Sequence, residues 1–447
     1  MKKEISRRDF IKATTVTGAG FLVAAGNFSK PARASALQNV AVACIGVGGQ
    51  GKDDFWTANE YGYGKVVALC DVDHKILEEW VERYSGFKGI RTYYDFREMF
   101  EEMDGKIDAC TISTPDHMHA IITATAMKHG IHTYTQTPLT RTIYEARYLT
   151  ELAKKNPALC TQTGDTESAD DEFRKVTAQL KAGLLGEIKE VHFVYYGSVW
   201  WSDYSDWREY FKTKSDNTDD HDSDDVEKKI QIKKALKNLE WDLWLGVASK
   251  REYRPEIYHP GSWGGWWDFG TGYMGRIQPA STNLMFRALE LKDPISAVAT
   301  SSGHDNKIFP EEATIEMDFP ENKWRGPVKC YWYSDRSRIS DVLRKTMERY
   351  DFDPASADYD DNYAFILGEK GAGFIGSLYG LSYEFHEEYG GDIPWIPENK
   401  TKFVIAPKFD SNNRHMYEWL YAIQKGKPEL CWSNFANHAG PLCESLL

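Results

Sequence analysis

The 447-residue chain is short of positive charge: 54 Lys and Arg face 67 Asp and Glu, a formal net charge of -13. A nucleic-acid partner needs a basic surface, so this balance argues against one. There is no CxxC pair and no Cys/His cluster, which leaves no expected metal site. The seven cysteines are scattered, and Cys44, Cys70 and Cys110 each sit in an apolar strand-like run, where they read as small buried hydrophobes. Long apolar runs are also missing. The run "ATTVTGAGFLVAAG" near the N-terminus is too short and too rich in Gly and Thr to span a membrane. No internal repeat is found. The length exceeds what one compact core holds, so two domains are expected.

Aromatic residues, by contrast, are plentiful: 15 Trp and 25 Tyr. They suit either an aromatic-rich core or a surface that stacks on sugar rings. The N-terminus carries "SRRDFIK" (Ser6 to Lys12), the modest apolar run, and then "ARA" at Ala32 to Ala34. This resembles a twin-arginine export signal over residues 1–34, cleaved after Ala34, which implies passage through the twin-arginine machinery to the periplasm or beyond. No cysteine follows the cleavage point, so no lipid anchor is expected there. Free cysteines fit an oxidising compartment poorly. The conflict eases if the chain folds in the cytoplasm and is exported folded.

From Asn39 the pattern is strand, glycine-rich turn, helix, strand: "VAVACIGVGGQG", "KVVALCDVD", "DACTIST" and "HTYTQTP" as apolar strands, with helical segments between them. That alternation predicts a parallel doubly wound sheet over 38–162. Over 163–447 strand-like runs such as "ISAVATSSG", "ATIEMDF", "VKCYWYS" and "GAGFIGSLYG" follow with few helices between, predicting a second domain with an antiparallel sheet. The acidic stretch Ser215 to Lys229 lacks the Gly and terminal Glu of an EF-hand loop and reads as a solvated insertion. "GPLCESLL" at the end has helical spacing without a stop signal, as if cut in mid-helix.

Gly46, Val47, Gly48, Gly49, Gln50 and Gly51 form G-x-G-G-x-G after the first strand. The first glycine permits a tight turn, the second a close approach to pyrophosphate, and the third close helix–strand packing. Asp71 follows at the end of the next strand, where a carboxylate accepts from ribose hydroxyls and repels a 2′-phosphate. The pair predicts NAD rather than NADP, against the alternative of a Rossmann-shaped domain with an empty site. "STPDHMHA" places Thr114, Pro115, His117 and His119 at the C-terminal end of the third strand, where ligands bind in such sheets. The two histidines read as polar lining, acid/base groups or structural residues.

These motifs, with "PLTRTIYEARYLTELAKK", "LEWDLWLG" and "WGGWWDFGTG", resemble the Gfo/Idh/MocA oxidoreductases, in particular their twin-arginine-exported branch. The resemblance implies an N-terminal NAD-binding Rossmann domain and a C-terminal α/β domain with a large open, mainly antiparallel sheet. It also implies homo-oligomers, sugars or sugar derivatives as substrates, and a chain that continues past Leu447. Three blocks depart from the family pattern. Gln136-Thr137-Pro138 stands where Glu-Lys-Pro or Gln-Lys-Pro is usual, so Thr137 replaces the catalytic lysine. "RIQPASTN" puts Arg276, Ala280 and Asn283 where Asp, His and Asp are usual. Gly164-Asp165-Thr166 replaces a Gly-Asn-Gln-like segment. A threonine hydroxyl is neither a cation nor a useful base at neutral pH.

Replacement chemistry would draw on Tyr273, Arg276 and His117 as catalytic groups, with Asp165, Trp267 and Asp268 lining the substrate. Arg276 suits a carboxylate or phosphate, and Gln136 and Thr137 would border the cofactor. A structural role stands beside the functional one for each. Two readings follow. One is an NAD-dependent enzyme acting on a sugar with an altered catalytic set, running a redox-neutral cycle on a bound cofactor, as an NAD-dependent glycosidase does, because an exported enzyme has no reservoir of free NAD. The other is an inactive binding or scaffolding subunit.

Overall fold

The computed structural model describes residues 39–447 apart from 61, 84–88, 196–233, 255–257, 277–279, 304–306, 311, 335, 353–361, 377–381 and 388–410. Residues 1–34, expected from sequence to be an export signal, and the acidic stretch Ser215 to Lys229 lie outside the described residues.

The first sheet has six parallel strands: β1 (Val40–Ile45), β2 (Gly64–Cys70), β3 (Arg91–Tyr93), β4 (Ala109–Ile112), β5 (His132–Thr135) and β6 (Thr161–Thr163). Their spatial order is β3-β2-β1-β4-β5-β6. The order reverses between β1 and β4, so a crevice opens there beyond the carboxyl ends of the strands. Strand β4 is buried along its whole length, as both faces of the sheet are covered. Five helices alternate with the strands: α1 (Gln50–Asn59), α2 (His74–Arg83), α3 (Phe96–Glu102), α4 (Asp116–Lys128) and α5 (Ile143–Lys155). Local sequence fixes their starts. Asp95 caps α3 by accepting from the Arg97 N–H. At α5, the Thr142 hydroxyl accepts from the Glu145 N–H (3.3 Å) while the Glu145 carboxylate accepts from the Thr142 N–H (3.0 Å), a reciprocal capping box. The buried face of α5, Ala146, Leu149, Thr150 and Ala153, follows the i, i+3, i+4, i+7 spacing of a core-facing helix.

After α6 (Asp171–Lys181) comes the second sheet: β7 (Ile188–Tyr195), β8 (Ser296–Ser301), β9 (Ala313–Phe319), β10 (Val328–Tyr333), β11 (Asn362–Gly368), β12 (Gly371–Gly376) and β13 (Ser382–Glu387). Their order is β13-β12-β11-β7-β10-β9-β8. The sheet is mixed rather than purely antiparallel. Strand β7 leaves the first domain and takes the central position, and β10 pairs with it in parallel from Lys329↔Glu190 to Tyr333↔Val194. Helices α6 and α7 (Ala280–Leu289) cover one face, with Phe173, Val176, Leu284 and Phe286 packed on Phe193 and Trp332.

The C-terminal segment returns to the first domain. Helix α8 (Ser411–Lys425) places Met416, Tyr417, Trp419, Leu420 and Ile423 in the same core as Val40, Val42, Phe55 and Val66. Helix α9 (Gly440–Leu446) and the turn before it set Phe435, Ala439 and Cys443 against Ala146 and Leu149 of α5. Among the described residues no helix is long and apolar enough to cross a membrane.

Candidate functional site

The turn after β1 is built by close approach. The Gly46 N–H donates to the Cys70 carbonyl (2.8 Å) at φ +75°, and a Cβ there would lie 2.6 Å from the Ser113 carbonyl oxygen. A Cβ on Gly51 would lie 1.8 Å from the Gly46 carbonyl oxygen, so α1 reaches the strand only because that side chain is missing. Gly49 begins α1 at φ +43°, has no side-chain cap and faces open space. The Gly51 and Lys52 N–H groups donate back to the Gly48 and Gly49 carbonyls (2.8 and 3.1 Å), so the open face at Gly49, at the N-terminus of α1, is what borders a phosphate-sized cradle. A Cβ on Gly48 would meet only the tip of the Ile76 side chain, at 2.8 Å, a contact that a rotamer change relieves. Gln50 is exposed at the start of α1.

Asp71 directly follows β2 and is buried. One carboxylate oxygen accepts the Val47 N–H (2.9 Å) and the other the Asp73 N–H (3.0 Å), while the Val47 carbonyl accepts from Trp80 Nε1 (2.9 Å). The Val47 N–H is thus spent on Asp71, and the carboxylate fixes the glycine turn from the neighbouring strand. Burial raises the Asp71 carboxyl, and these two N–H donors oppose the shift. A carboxylate oxygen accepts more than one hydrogen bond, so capacity remains for a diol.

A residue not singled out from sequence, Asp54 on the inner face of α1, ties that helix to the ends of two strands. Its carboxylate accepts from Ser113 Oγ at the end of β4 (2.5 Å) and from Gln136 Nε2 at the end of β5 (2.9 Å). Burial pushes its pKa up to about 6, against those donors. Gln136 also packs on Gly164, whose Cβ would lie 2.2 Å from its Oε1. Gln136 is therefore held within the protein, and Thr137 beside it is half-buried. The Thr114 hydroxyl is buried at the β4 turn with no hydrogen-bond partner among the described residues.

The two histidines of "STPDHMHA" are positioning groups. His117 Nε2 donates to the Trp244 carbonyl (2.9 Å), its N–H donates to the Phe269 carbonyl (3.1 Å), and its ring packs on Trp244 and Phe269. Burial pulls its pKa down to about 3, so it is neutral and donates through that nitrogen. His119 spans the turns after β4 and β5, its ring nitrogens each 2.7 Å from the Thr114 and Pro138 carbonyl oxygens. Pro115 caps α4, and Asp116 in the first turn accepts from Thr271 Oγ1 (2.8 Å).

The second half of the chain closes this rim at several points. The Glu240 N–H donates to the Val72 carbonyl (2.9 Å), the His74 N–H donates to the Asn238 carbonyl (2.7 Å), and His259 meets Asp73 at 3.0 Å. Arg141 Nη1 donates to the Trp267 carbonyl (2.9 Å). The tryptophans divide: Trp266 is buried in the aromatic cluster with Tyr258 and Phe269, Trp263 packs against it, and Trp267 is 41% exposed and lies on Phe309. Asp268 is ion-paired with Arg251. The side chains of Tyr273, Arg276 and Ala280 lie outside the described residues.

Asp165 is sealed. Its carboxylate accepts from Asn283 Nδ2 (2.9 Å) and lies 3.5 Å from His415 Nε2, with His438 beyond. Burial raises its pKa to about 7 and lowers that of His415 to about 3. Two of the departing positions, 165 and 283, thus meet in space, but beneath the surface. Among the described residues no cluster of three or more His, Cys, Asp or Glu side chains is arranged to hold a metal ion.

Residues 40–163 match the model of the Gfo/Idh/MocA family, an oxidoreductase family with an NAD-binding Rossmann fold. A glycosyl hydrolase family 109 protein of Shewanella pealeana is 25% identical over 236 residues, covering 47% of this chain and 52% of that protein. An α-N-acetylgalactosaminidase of Shewanella oneidensis is 25% identical over 240 residues, covering 47% of this chain and 51% of that protein. The chain thus spans about half the length of the curated relatives it matches. Solved structures share the fold over more of the chain. A levoglucosan dehydrogenase bound to NADH and levoglucosan superimposes at a TM-score of 0.54 with 14% identity, covering 92% of this chain and 96% of that one. An aldose-aldose oxidoreductase from Caulobacter crescentus, complexed with glycerol, gives 0.55 with 15% identity over 90% and 94% of the two chains.

Proposed function

We propose that this chain, whose N-terminal domain has the Rossmann fold of the Gfo/Idh/MocA oxidoreductases, holds NAD and acts on a sugar or sugar derivative without releasing the cofactor. The observation that carries the reading is the cradle itself: the open face of Gly49 at the start of α1, the Asp71 carboxylate that fixes the turn, and the unpartnered Thr114 hydroxyl at the switch point. In this reading the α1 N-terminus and the glycine turn hold the pyrophosphate, Asp71 the adenosine ribose, and Thr114 the far side of the dinucleotide. Asp73 adds a second acidic residue beside Asp71, which disfavours a 2′-phosphate. When bound, NAD supplies a hydride acceptor. The protein residues orient it, with His119 and Asp54 fixing the turns around it and Asn238, Glu240, His259 and Trp267 closing the rim. That closure supports retention, and the SRRDFIK and ARA elements support export with the cofactor in place. The substrate class rests on the sugar-directed relatives and on Trp267, exposed at the rim with Arg141 and Asp268 near it. Oligomerisation through the second sheet is proposed on the resemblance.

A second reading, an inactive ligand-binding subunit, is favoured by one observation. Thr137 offers no cation at the turn after β5, while Asp165 and Asn283 are spent on each other and on His438.

The test is the nucleotide content of the purified folded protein, released by denaturation and identified by mass. About one NAD per chain is expected, and Gly51→Ala, which forces a Cβ onto the Gly46 carbonyl, should lose most of it. A wild-type protein that carries no nucleotide and takes none up when offered would sink the cofactor assignment. Reduction of bound NAD by any sugar in a 340 nm screen then separates the enzyme from the inactive subunit.

A further inference from the structure

The segment after β5 carries a cation with no anion against it. Arg141 follows Thr137 and Pro138 beyond the carboxyl end of the strand and is half-buried. Its Nη1 donates to the Trp267 carbonyl (2.9 Å), which fixes one corner of the guanidinium at the rim. Its Nε–H is buried and has no hydrogen-bond partner among the described residues. The acids close by are occupied. One oxygen of Glu145 accepts both the Arg141 backbone N–H (3.2 Å) and the Thr142 N–H (3.0 Å). Burial raises that carboxyl, and the Arg141 charge opposes the rise from beyond ion-pair distance. Asp268, next to Trp267, is paired with Arg251. By contrast Arg97, Arg251 and Arg338, also half-buried, each hold a carboxylate. A buried N–H without an acceptor and a half-buried charge without a counter-charge are both unfavourable, and one anionic ligand relieves both.

The position suits a substrate better than the cofactor phosphates. In the order β1-β4-β5 the turn after β5 stands two strands from the glycine turn, about 10 Å at the usual strand spacing. It borders the crevice beyond the carboxyl ends of β4 and β5, where ligands enter such sheets. Trp267, whose carbonyl holds Arg141, is itself exposed and offers an aromatic surface to a sugar ring. With Nη1 engaged, the Nε–Nη2 edge remains, and that edge is the fork that takes a carboxylate through two parallel hydrogen bonds. One guanidinium balances one negative charge. A phosphate monoester carries about -1.5 to -2 at neutral pH, and the second arginine of this rim, Arg251, is already spent on Asp268.

We infer that Arg141 determines the specificity of the substrate site, and that the sugar it selects carries a carboxylate seated on its Nε–Nη2 edge. The inference rests on the reading that the chain binds NAD and a sugar, and it names the class of that sugar: a sugar acid rather than a neutral hexose or a sugar phosphate. The carboxylate gives the buried Nε–H its acceptor. It displaces no protein acid, since the guanidinium has none. Arg141 binds and orients in this scheme, and it neither gives nor takes a proton.

The test titrates the folded full-length chain by calorimetry with D-galacturonate and D-glucuronate, with D-galactose and D-glucose, and with the 6-phosphates of both hexoses. Each acid differs from its hexose only at the sixth carbon. At least one acid should bind roughly 10- to 100-fold tighter than its neutral counterpart, the worth of a charge-assisted hydrogen bond. Arg141→Gln should lose that advantage while keeping the wild-type NAD content and urea midpoint. Arg141→Lys, which keeps the charge but not the fork, should recover only part of it. Arg147→Gln, on the exposed side of α5 and paired with Glu444, should bind the acid as wild type does. The proposal is overturned if the hexoses bind as tightly as their acids, if only the phosphates bind, if no acid binds, or if Arg141→Gln keeps the preference. NAD counted in every sample separates the two readings. Wild type that carries NAD but shows no preference for the acids loses this inference and keeps the cofactor. Wild type without NAD loses the cofactor assignment whatever the acids do.

Discussion

Position 137 carries a hydroxyl where the resemblance to the Gfo/Idh/MocA oxidoreductases implies a lysine, and the surroundings supply no ammonium group in its place. Arg141, four residues on, donates to the Trp267 carbonyl instead. Asn283 donates to Asp165 rather than serving as a carboxylate. Thr137→Lys alone is therefore expected to give no sugar-dependent reduction of bound NAD above wild type, because the second block stays altered. A robust rate at 340 nm in that single variant would refute the argument. Glycine spacing and Asp71 were readable at this scale because turn geometry and the acid after β2 are local signals. Asp54 was not. An aspartate on an otherwise ordinary helix gives no sign that Ser113 and Gln136, distant in sequence, will converge on it. His117 looked like a candidate acid/base group, and only the aromatic shell of Trp244 and Phe269 reveals an anchor.

At the level of elements, the alternation of strands and helices in the first half was legible because periodicity changes sharply between them. The parallel pairing of β7 with β10 was not, because the strands look alike in sequence and their neighbours depend on the path of the whole chain. Helices α6 and α8 are joined by a buried ion pair, Arg174 to Glu418 (2.6 Å), with both side chains under 5% exposed. Arg174 also donates to the Ser168 carbonyl (2.9 Å) and lies over the Trp432 ring. Removing one partner strands a charge in a low dielectric. Glu418→Ala is expected to cost about 3–5 kcal/mol, read from urea denaturation. A loss under about 1 kcal/mol, within the range of exposed ion pairs, would mean that water reaches the site.

For the molecule as a whole, buried titratable groups set an opposing pH profile. Asp165 and Glu167 are raised to about 7, and Asp54 to about 6, each chiefly by burial. A raised carboxyl stabilises the fold below its unfolded pKa, and that contribution is lost as pH climbs through the folded value. His117 and His415, lowered to about 3, work in reverse: their contribution is full above the unfolded histidine range and is lost as pH falls through 3. Asp165→Asn removes one member of the first set. Relative to wild type, the variant should gain stability between pH 5 and pH 8, on the order of a few kcal/mol, read as urea midpoints at the two values. An unchanged difference would mean that Asp165 is ionised throughout. The return of α8 to the first domain has a consequence for synthesis. Val40 and Phe55 emerge early from the ribosome, yet Trp419 and Leu420, which complete their core, are translated hundreds of residues later. Both cores thus wait for the C-terminal segment, since Leu442 and Leu446 of α9 also complete the core of the second sheet, and neither can be finished until the chain is almost fully made.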